Sequence, residues 1–299
     1  MSEPVIETVG LKKSYKAVEA VCGLDLSVPR GSVYGFLGRN GAGKTTTIKM
    51  LLGMVAKDAG AGSVLGYAIE KRSESLEIRR RTGFVSEDKG LYDYMTVGQM
   101  IDFTRPLFAA WRRDRERELL RSFELPLTRK VKQLSKGMRT KLALLLALAR
   151  GAELLILDEP TEGLDPAAIE EVLQILVRLV AQEEVTIFFS SHQIAEVEQI
   201  ADHISIIHRG RAVVAGALDD VKENYRRINL TFDEAAPAQS FDIAGIERIQ
   251  KEGRQLSLLV SRNLDEIINQ ARALRAQSVD VVPVTLKEIF LESVRGNDE

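Results

Sequence analysis

The sequence has 299 residues but only one cysteine, Cys22, and it has no long apolar run. A single cysteine excludes an internal disulfide and a zinc site built on cysteines, and it is typical of proteins in a reducing compartment. The longest apolar stretch, residues 142–149, is far shorter than the roughly 18 residues that a membrane-spanning helix needs. The N-terminus also lacks a basic start followed by an apolar segment, so we expect no secretory leader and a cytoplasmic location.

The charge balance lacks an excess of either sign, with 41 Lys and Arg against 43 Asp and Glu. A protein without a general basic field needs a local basic patch to bind nucleic acid. The sequence shows no such patch, so we expect no nucleic acid partner. The hydrophobic content of 45% is ordinary for globular proteins, and at this length the chain can form one large domain and a smaller one.

One segment matches the phosphate-loop pattern G-x-x-x-x-G-K-[ST] without a gap. Its residues are Gly38, Arg39, Asn40, Gly41, Ala42, Gly43, Lys44, Thr45 and Thr46. A predicted strand, 32–37, precedes the loop and a predicted helix, 47–52, follows it, which is the context that the pattern requires. In such a loop, backbone N–H groups surround a triphosphate, Lys44 reaches the β- and γ-phosphates, and Thr45 can hold Mg²⁺.

Carboxylates follow two other predicted strands. Asp158 and Glu159 come directly after the apolar segment 154–157, and Glu87 follows the predicted strand 83–85. Ligands of open parallel sheets gather at the carboxyl ends of strands, so these side chains can face the nucleotide. Because side chains alternate across a strand, Asp158 can hold Mg²⁺ while Glu159 aligns and deprotonates a water molecule.

Two further candidates lie on a loop and at the start of a helix. Tyr15 is on a polar loop predicted between strands 5–9 and 23–28, where its ring could stack on a purine base or simply pack against the domain. Ser135 is a good N-cap for a helix that runs to Arg150. Such a helix end can bind an anion, and it can equally be an N-cap and nothing more.

Histidines are scarce, and one of the three is placed for function. His192 ends the predicted strand 185–191, at the same sheet edge as the phosphate loop and the paired carboxylates. A histidine there can contact a γ-phosphate. His203 and His208 have no such placement, and we expect them to be structural.

Residues 88–150 have a helical pattern and predict an inserted helical subdomain. Thr96 and Gln99 have the spacing of a capping box. The charged residues between 112 and 121 are expected to face solvent. The apolar face predicted behind the capping box consists of Met100, Phe103, Leu107 and Phe108.

The composition changes beyond about residue 218, and we expect a second domain over 219–299. Its predicted elements are a strand at 228–232, a linker-like loop at 233–240, a hairpin of 246–251 and 255–261, a helix opening at Asn263, a strand at 279–282 and a last helix at 286–294. The segment contains no catalytic constellation. A small α/β accessory domain is therefore expected.

Taken in order, these motifs resemble the nucleotide-binding subunit of an ATP-binding cassette (ABC) transporter over about residues 5–218. Besides the phosphate loop and the paired carboxylates, the resemblance rests on Leu134-Ser135-Lys136-Gly137-Met138, Gly163-Leu164-Asp165 and His192. It implies an α/β P-loop NTPase cassette with a mostly parallel core sheet, an antiparallel β subdomain and a helical subdomain. It also implies an ATPase that uses ATP and Mg²⁺.

In that family two cassettes pair head to tail, so that each ATP lies between the phosphate loop of one and the signature helix of the other. The resemblance therefore implies a second copy of the cassette, or a related subunit, as a partner. The roles that it implies are adenine stacking for Tyr15, phosphate binding for Lys44 and the loop amides, Mg²⁺ binding for Thr45 and Asp158, general base catalysis for Glu159, action across the dimer for Ser135 and Gly137, a link between the two sites for Asp165 and γ-phosphate sensing for His192.

Two positions depart from the family pattern. The family usually has glutamine where this chain has Glu87, which can still bind Mg²⁺ or water but brings negative charge towards the triphosphate. The signature usually reads Leu-Ser-Gly-Gly-Gln, whereas here Lys136 and Met138 stand in it. Because Ser135 and Gly137 are kept, we expect altered affinity or coupling and no loss of ATPase activity.

The tail segment 283–291 looks like that of type-2 ABC exporters, and residues 83–87 with 91–92 are similar to the same branch. This predicts a separate membrane-spanning permease that docks on the helical subdomain near 87–96 and holds the protein at the cytoplasmic face of the membrane. The alternatives are a soluble ABC ATPase acting on ribosomes or nucleic acid, an importer ATPase and a simple P-loop kinase. The chain does not specify the cargo, because the permease forms the path.

Overall fold

The computed structural model describes residues 3–234, 241 and 243–295. The chain divides into two compact units, Met1–Ala212 and Val213–Glu299, and each is described by itself. Of the loop predicted at 233–240, residues 235–240 lie outside the described part. Within the described residues, no helix is both long enough and apolar enough to cross a membrane.

A four-stranded antiparallel sheet opens the first unit, in the order β2-β1-β4-β5. Its strands are β1 (Ile6–Tyr15), β2 (Val18–Val28), β4 (Ala59–Val64) and β5 (Tyr67–Ala68). The antiparallel opening of the domain is thus as predicted.

The prediction that Tyr15 lies on a polar loop is wrong, because the β1–β2 hairpin continues through that segment. Tyr15 is the last residue of β1 and pairs with Val18, which leaves only a two-residue turn. Leu11 and Val21 lie in this polar stretch and are buried. Because these two side chains pack into the core, both strands extend into the lysine-containing segment that the sequence predicts as a loop.

A six-stranded sheet has the order β10-β9-β3-β8-β7-β6; strands β9 to β6 belong to the first unit, and β10 runs across the unit boundary in the chain. Its strands are β3 (Val33–Gly38), β6 (Thr82–Val85), β7 (Leu154–Asp158), β8 (Thr186–Ser191), β9 (His203–His208) and β10 (Arg211–Ala217). From β9 to β6 all neighbouring strands are parallel, and β3, β7 and β8 are buried along their whole length. This confirms the predicted mostly parallel core.

Four helices pack against this sheet through the residues that each of them buries. They are α1 (Lys44–Leu51), α2 (Arg72–Arg81), α6 (Pro166–Glu183) and α7 (Ile194–Ile200). In α6, for example, Val172, Leu173 and Leu176 are buried, and Asp165 caps the helix by accepting a hydrogen bond from the Ala168 N–H at 3.0 Å.

The insertion between β6 and β7 is helical. It contains α3 (Val97–Thr104), a 3-10 turn (Arg105–Leu107), α4 (Arg113–Ser122), a second 3-10 turn (Val131–Gln133) and α5 (Lys136–Leu148). The capping box predicted at Thr96 and Gln99 is present at the start of α3.

Two expectations about the insertion are wrong. Phe103 and Leu107, predicted on an apolar face, are 46% and 63% exposed. Conversely, Glu116, predicted to face solvent, is buried, where its carboxylate accepts hydrogen bonds from Arg105 and from the Trp111 indole N–H at 2.6 Å. A buried carboxylate is tolerated because charged and polar donors satisfy it.

The second unit is a four-stranded antiparallel sheet in the order β12-β13-β11-β14, packed with helices. Its elements are α8 (Leu218–Asn224), β11 (Arg226–Thr231), β12 (Ile246–Glu252), β13 (Gln255–Val260), α9 (Leu264–Ala273), β14 (Ser278–Pro283) and α10 (Leu286–Arg295). Its own core includes Ile228, Leu258 and Ile267, as alternation along the strands predicts.

Candidate active site

The carboxyl ends of three neighbouring parallel strands bring the predicted chemistry together. In the sheet β8 lies between β3 and β7. Strand β3 ends in Gly38 at the phosphate loop, β7 ends in Asp158, and His192 follows β8 directly. Residues more than 100 positions apart in the chain therefore meet at one edge, as expected for an open parallel sheet.

The phosphate loop turns tightly onto the start of α1. Gly41 and Gly43 have φ values of 81° and 108°, in the region that favours glycine. At Gly43 a Cβ atom would lie 2.3 Å from the carbonyl oxygen of Ala20, so this position admits no side chain. The loop leads directly into the N-terminus of α1 at Lys44, where free N–H groups and the helix dipole favour an anion.

Lys44 is buried and lies between the loop and the paired carboxylates. Its ammonium group donates a hydrogen bond to the Gly38 carbonyl oxygen at 2.8 Å and lies 3.2 Å from Glu159 Oε1. The lysine side chain is only 7% exposed, and the nearby carboxylate of Glu159 neutralises its charge. Its charged end is held at the loop whose backbone would surround phosphate.

Asp158 and Glu159 make separate contacts. Asp158 Oδ1 accepts a hydrogen bond from the Ser190 hydroxyl at 2.6 Å. Glu159 Oε2 lies 2.9 Å from His192 Nδ1, on the other side from the contact with Lys44. The two neighbouring carboxylates therefore face different partners and are available for different tasks.

One oxygen of this pair is suited to a cation. Asp158 Oδ2 is buried and has no hydrogen-bond partner among the described residues, which costs free energy unless a ligand satisfies it. Within the described part of the chain, no group of three His, Cys, Asp or Glu residues could hold a metal alone. Mg²⁺ is commonly held by one or two carboxylates together with waters and substrate phosphates, so the unpartnered Asp158 oxygen has the donor chemistry that suits this ion.

A cavity of about 410 Å³ opens over the loop. Its lining comprises Val18, Glu19, Ala20, Arg39, Asn40, Gly41, Gly43, Lys44, Thr45, Thr46, Glu87, Glu159 and Arg209. Glu87 therefore faces the same space as the phosphate loop. Tyr15 is not part of this lining: it is 46% exposed at the tip of the hairpin, with the Lys13 ammonium 5.4 Å from its ring centroid.

A second cavity, of about 500 Å³, lies at the start of α5. Ser135, Gly137 and Asp165 line it, and none of them lines the cavity over the phosphate loop. The Ser135 hydroxyl accepts a hydrogen bond from the Met138 N–H at 3.2 Å, so the predicted N-cap of α5 is present. Within one chain the structure does not bring these residues to the phosphate loop.

Comparison with known proteins agrees with this geometry. Residues 21–162 match the family model described as ABC transporter, and residues 216–294 match the C-terminal domain of DrrA1-3-like ATP-binding proteins. The bacitracin transport ATP-binding protein BcrA of Bacillus licheniformis is 34% identical over 96% of this chain and 95% of its own. The daunorubicin resistance ATP-binding protein DrrA3 of Streptomyces coeruleorubidus is 33% identical over 100% of this chain and 98% of its own.

The chain belongs to the ABC transporter ATP-binding proteins. A solved ATP-binding subunit of an ABC transporter is 31% identical and superimposes with a TM-score of 0.66 over 73% of this chain and 92% of its own. A dimeric ATP-binding cassette bound to ADP and Pi shares the fold, with a TM-score of 0.65 over 71% of this chain and 98% of its own at 22% identity. The predicted function of an ATP-binding, ATP-hydrolysing ABC cassette is confirmed, and so is the likeness of its tail to the exporter branch.

The structure adds residues to this ABC site that sequence reasoning missed. Ser190 links the Asp158 carboxylate to the backbone of Glu159, since its hydroxyl donates to Asp158 Oδ1 and accepts from the Glu159 N–H at 3.1 Å. Lys89 Nζ donates to the Glu159 carbonyl oxygen at 3.1 Å. Burial lowers the pKa of Lys89, while the nearby carboxylates of Glu162 and Asp158 oppose that shift. No motif marks either residue, because their partners are backbone groups and strand ends distant in sequence.

The signature segment is also tied to the turn after β7. Lys136 Nζ lies 2.6 Å from Glu162 Oε1, and the Thr140 hydroxyl donates to the Glu162 carbonyl oxygen at 3.0 Å. The hydrogen bond from Lys136 lowers the pKa of the Glu162 carboxyl. The lysine that departs from the family pattern thus has a partner within the same chain.

Proposed function

We propose that this ATPase powers a separate membrane-spanning exporter, working as a pair of cassettes that close on ATP at the cytoplasmic face of the membrane. The observation that carries the catalytic part is the contact of one carboxylate, Glu159, with both Lys44 and His192 at the end of the sheet. The domain organisation that goes with it is a cassette over 1–218, with a helical subdomain over about 88–150, and an accessory domain over 219–299.

Glu159 is proposed as the general base. It accepts a proton from the water that attacks the γ-phosphorus, while the bond to the β–γ bridging oxygen breaks and ADP and phosphate result. His192 fixes Glu159 Oε2 from one side, and Lys44 supplies positive charge to the phosphates from the other. A single charge cluster thus serves both the nucleophile and the developing phosphate charge.

Mg²⁺ is proposed to bind at Asp158 and Thr45, with Glu87 lining the same cavity as Thr45. The support is the unsatisfied buried Asp158 Oδ2 and the exposure of Glu87 to the cavity. When bound, the ion neutralises charge on phosphate oxygens. Adenine stacking by Tyr15 remains a proposal, in which the exposed ring lies beside Val18 at the hairpin tip.

Head-to-tail pairing of two cassettes would bring the two cavities together. Ser135 and Gly137 stand at the N-terminus of α5, where free N–H groups favour an anion, yet they lie apart from the phosphate loop of their own chain. A phosphate supplied by a second copy satisfies that helix end. Asp165, at the N-cap of α6 beside them, would then be the link between the two sites.

An exposed aromatic cluster is proposed as the permease contact. Tyr92 and Tyr94 are 46% and 69% exposed, and their ring centroids lie 5.8 Å apart. Phe103 packs edge-on against Tyr92 at 5.7 Å and is itself half exposed. Exposed apolar clusters mark interaction sites. BcrA is named for bacitracin transport and DrrA3 for daunorubicin resistance, which supports export of an antibiotic-like molecule.

A tagged Glu159→Gln variant, recovered from detergent-solubilised membranes with Mg-ATP, tests this function. We expect turnover to fall at least about 100-fold, since general base catalysis contributes roughly 10²- to 10⁴-fold, while ATP binding persists. Mass spectrometry should find a multi-span membrane protein in near-equal amount.

Two further variants sharpen the result. Tyr94→Asp should lose the membrane partner, whereas Val177→Asp, a matched change at a 42% exposed valine on α6, should keep it. Recovery of ribosomes, nucleic acid or only the protein itself would contradict the transporter function and favour a soluble ABC ATPase.

A further inference from the structure

Lys89 belongs to the loop that joins the core sheet to the helical insertion. It lies between β6 and α3, four residues beyond the end of β6 and two beyond Glu87. Lys89 and Gly90 have φ values of 62° and 56°, so the loop folds back towards the sheet at this point. The half-buried ammonium group thereby reaches the Glu159 carbonyl oxygen at 3.1 Å.

The backbone of Glu159 needs such support, because its φ is 50°. A side chain at positive φ is strained, and strain of this kind persists only where the surroundings hold it. Side chains hold both peptide groups of Glu159 here. The Ser190 hydroxyl accepts from its N–H at 3.1 Å, and Lys89 donates to its carbonyl oxygen, which also accepts from the Glu162 N–H at 3.3 Å.

The backbone conformation decides where the Glu159 carboxylate lies. With φ at 50°, Oε1 is 3.2 Å from the Lys44 ammonium and Oε2 is 2.9 Å from His192 Nδ1. If the peptide after Glu159 relaxed, the carboxylate would leave one or both of these contacts. Burial lowers the pKa of Lys89; the nearby carboxylates of Glu162 and Asp158 oppose that shift, and the charge of Lys136 adds to it.

We propose that Lys89 is a positioning residue for Glu159, which holds the strained peptide of the catalytic carboxylate from the start of the helical insertion. The proposal rests on the role of Glu159 as general base. In this proposal Lys89 does not touch the reacting atoms. Its ammonium group acts through the Glu159 carbonyl oxygen, and the loss of that bond misdirects the carboxylate.

The same hydrogen bond connects the helical insertion directly to Glu159, the proposed general base. Glu87 lines the nucleotide cavity two residues before Lys89, and α3 begins eight residues after it. A shift of the insertion on docking to a permease would therefore change the hydrogen bond to Glu159 and with it the position of the carboxylate. Permease contacts at Tyr92, Tyr94 and Phe103 would thus be felt at the site of hydrolysis.

Lys89→Met, which keeps the length of the side chain and removes its donors and charge, tests the proposal in the full-length protein. Misplacement of a catalytic group by about 1 Å costs roughly 100-fold in rate, so we expect kcat to fall about 10- to 100-fold with KM changed less than about threefold. Lys89→Arg should restore at least about tenfold of the loss, because a guanidinium can donate to the same carbonyl oxygen. Lys71→Met, a matched change at the exposed lysine at the N-cap of α2, should behave as wild type.

Thermal unfolding and ATP binding of each variant show whether the fold and the nucleotide site are intact. The proposal is overturned if Lys89→Met keeps kcat within twofold of wild type, if its KM rises as much as its kcat falls, or if Lys89→Arg restores nothing. Glu159→Gln separates the two ideas. If it stays active, the proposed base is wrong; if it is inactive while Lys89→Met is active, only the positioning role is wrong.

Discussion

Glu196 is a buried carboxyl next to the site that the catalytic proposal does not use. It lies on α7 and is 5% exposed. Its Oε2 accepts hydrogen bonds from the hydroxyls of Thr161 at 2.8 Å and Ser191 at 3.1 Å, whereas Oε1 is buried without a partner. Burial raises the pKa of this carboxyl, the two hydroxyls lower it in part, and the nearby charge of Glu159 raises it further.

A raised pKa in the folded state determines the direction in which stability changes with pH. The folded protein binds the Glu196 proton more tightly than the unfolded chain, so stability falls as the pH rises from the ordinary value of 4.5 through the raised value. Glu196→Gln keeps the hydroxyl contacts without a charge. We therefore expect this variant to gain free energy of unfolding relative to wild type as the pH increases from about 4.5 to 8.

Urea unfolding of both proteins at several pH values measures that difference. Glu118→Gln, on the exposed surface of α4, should show a small difference from wild type over this pH range. If the gain in free energy of unfolding from Glu196→Gln shrank as the pH rises, the ionised carboxylate would be better stabilised in the folded protein than in water. Folding would then lower the pKa of Glu196 and not raise it.

Residues of the site were predictable from sequence where a motif or a strand end fixes them. Lys44 follows from the phosphate-loop pattern, and Asp158 and Glu159 follow from an apolar strand that ends in acids. Lys89 and Glu196 were not predictable, because each is defined by a partner that the fold supplies. The Glu159 carbonyl oxygen is 70 residues from Lys89 in the chain, and only the sheet topology brings them together.

Helix α3 shows how an element is fixed locally. Thr96 and Gln99 satisfy each other's backbone N–H groups, at 3.2 Å and 2.9 Å, so two of the unpaired donors at the helix start are used. The helix carries Phe103 of the proposed permease contact and follows the segment with Tyr92 and Tyr94. The geometry of that contact therefore depends on where α3 begins.

Thr96→Ala should loosen the first turn of α3 by about 1 kcal/mol, which is typical for loss of an N-cap. Amides over residues 97–104 should then exchange with solvent about fivefold faster if they exchange by local opening. Hydrogen exchange with mass spectrometry measures this. Thr128→Ala, at an exposed threonine outside any helix, is the control, and equal effects of the two substitutions would show that the cap contributes nothing.

At the scale of elements, apolar runs and caps gave correct predictions, whereas mixed segments did not. The buried strands of the core and the capping box needed only local patterns. The hairpin around Tyr15 was mistaken for a loop because its lysines hide the buried Leu11 and Val21. Phe103 was assigned to the interior because periodicity alone does not distinguish a core face from a face that binds a partner.

Among the described residues, each of the two units has a hydrophobic core of its own. One lies in the cassette and includes Phe36, Ile156 and Phe188, and the other lies in the second unit and includes Ile228 and Leu258. The residues proposed to bind nucleotide are all in the first unit. A ligand that binds only the folded cassette should therefore stabilise that unit, and nothing in the binding equilibrium requires the second unit to follow.

Calorimetry with and without Mg-ATP checks this expectation. At an ATP concentration of 100 times Kd, binding should add about 2.7 kcal/mol to the cassette, which for a unit of this size corresponds to a rise in Tm of roughly 5–10 °C. The transition of the second unit should stay in place. Lys44→Ala, which removes the ammonium beside Gly38 and Glu159, should abolish the shift. Equal displacement of both transitions by ATP would show that the two units unfold as one, and a shift that survives in Lys44→Ala would place the nucleotide elsewhere.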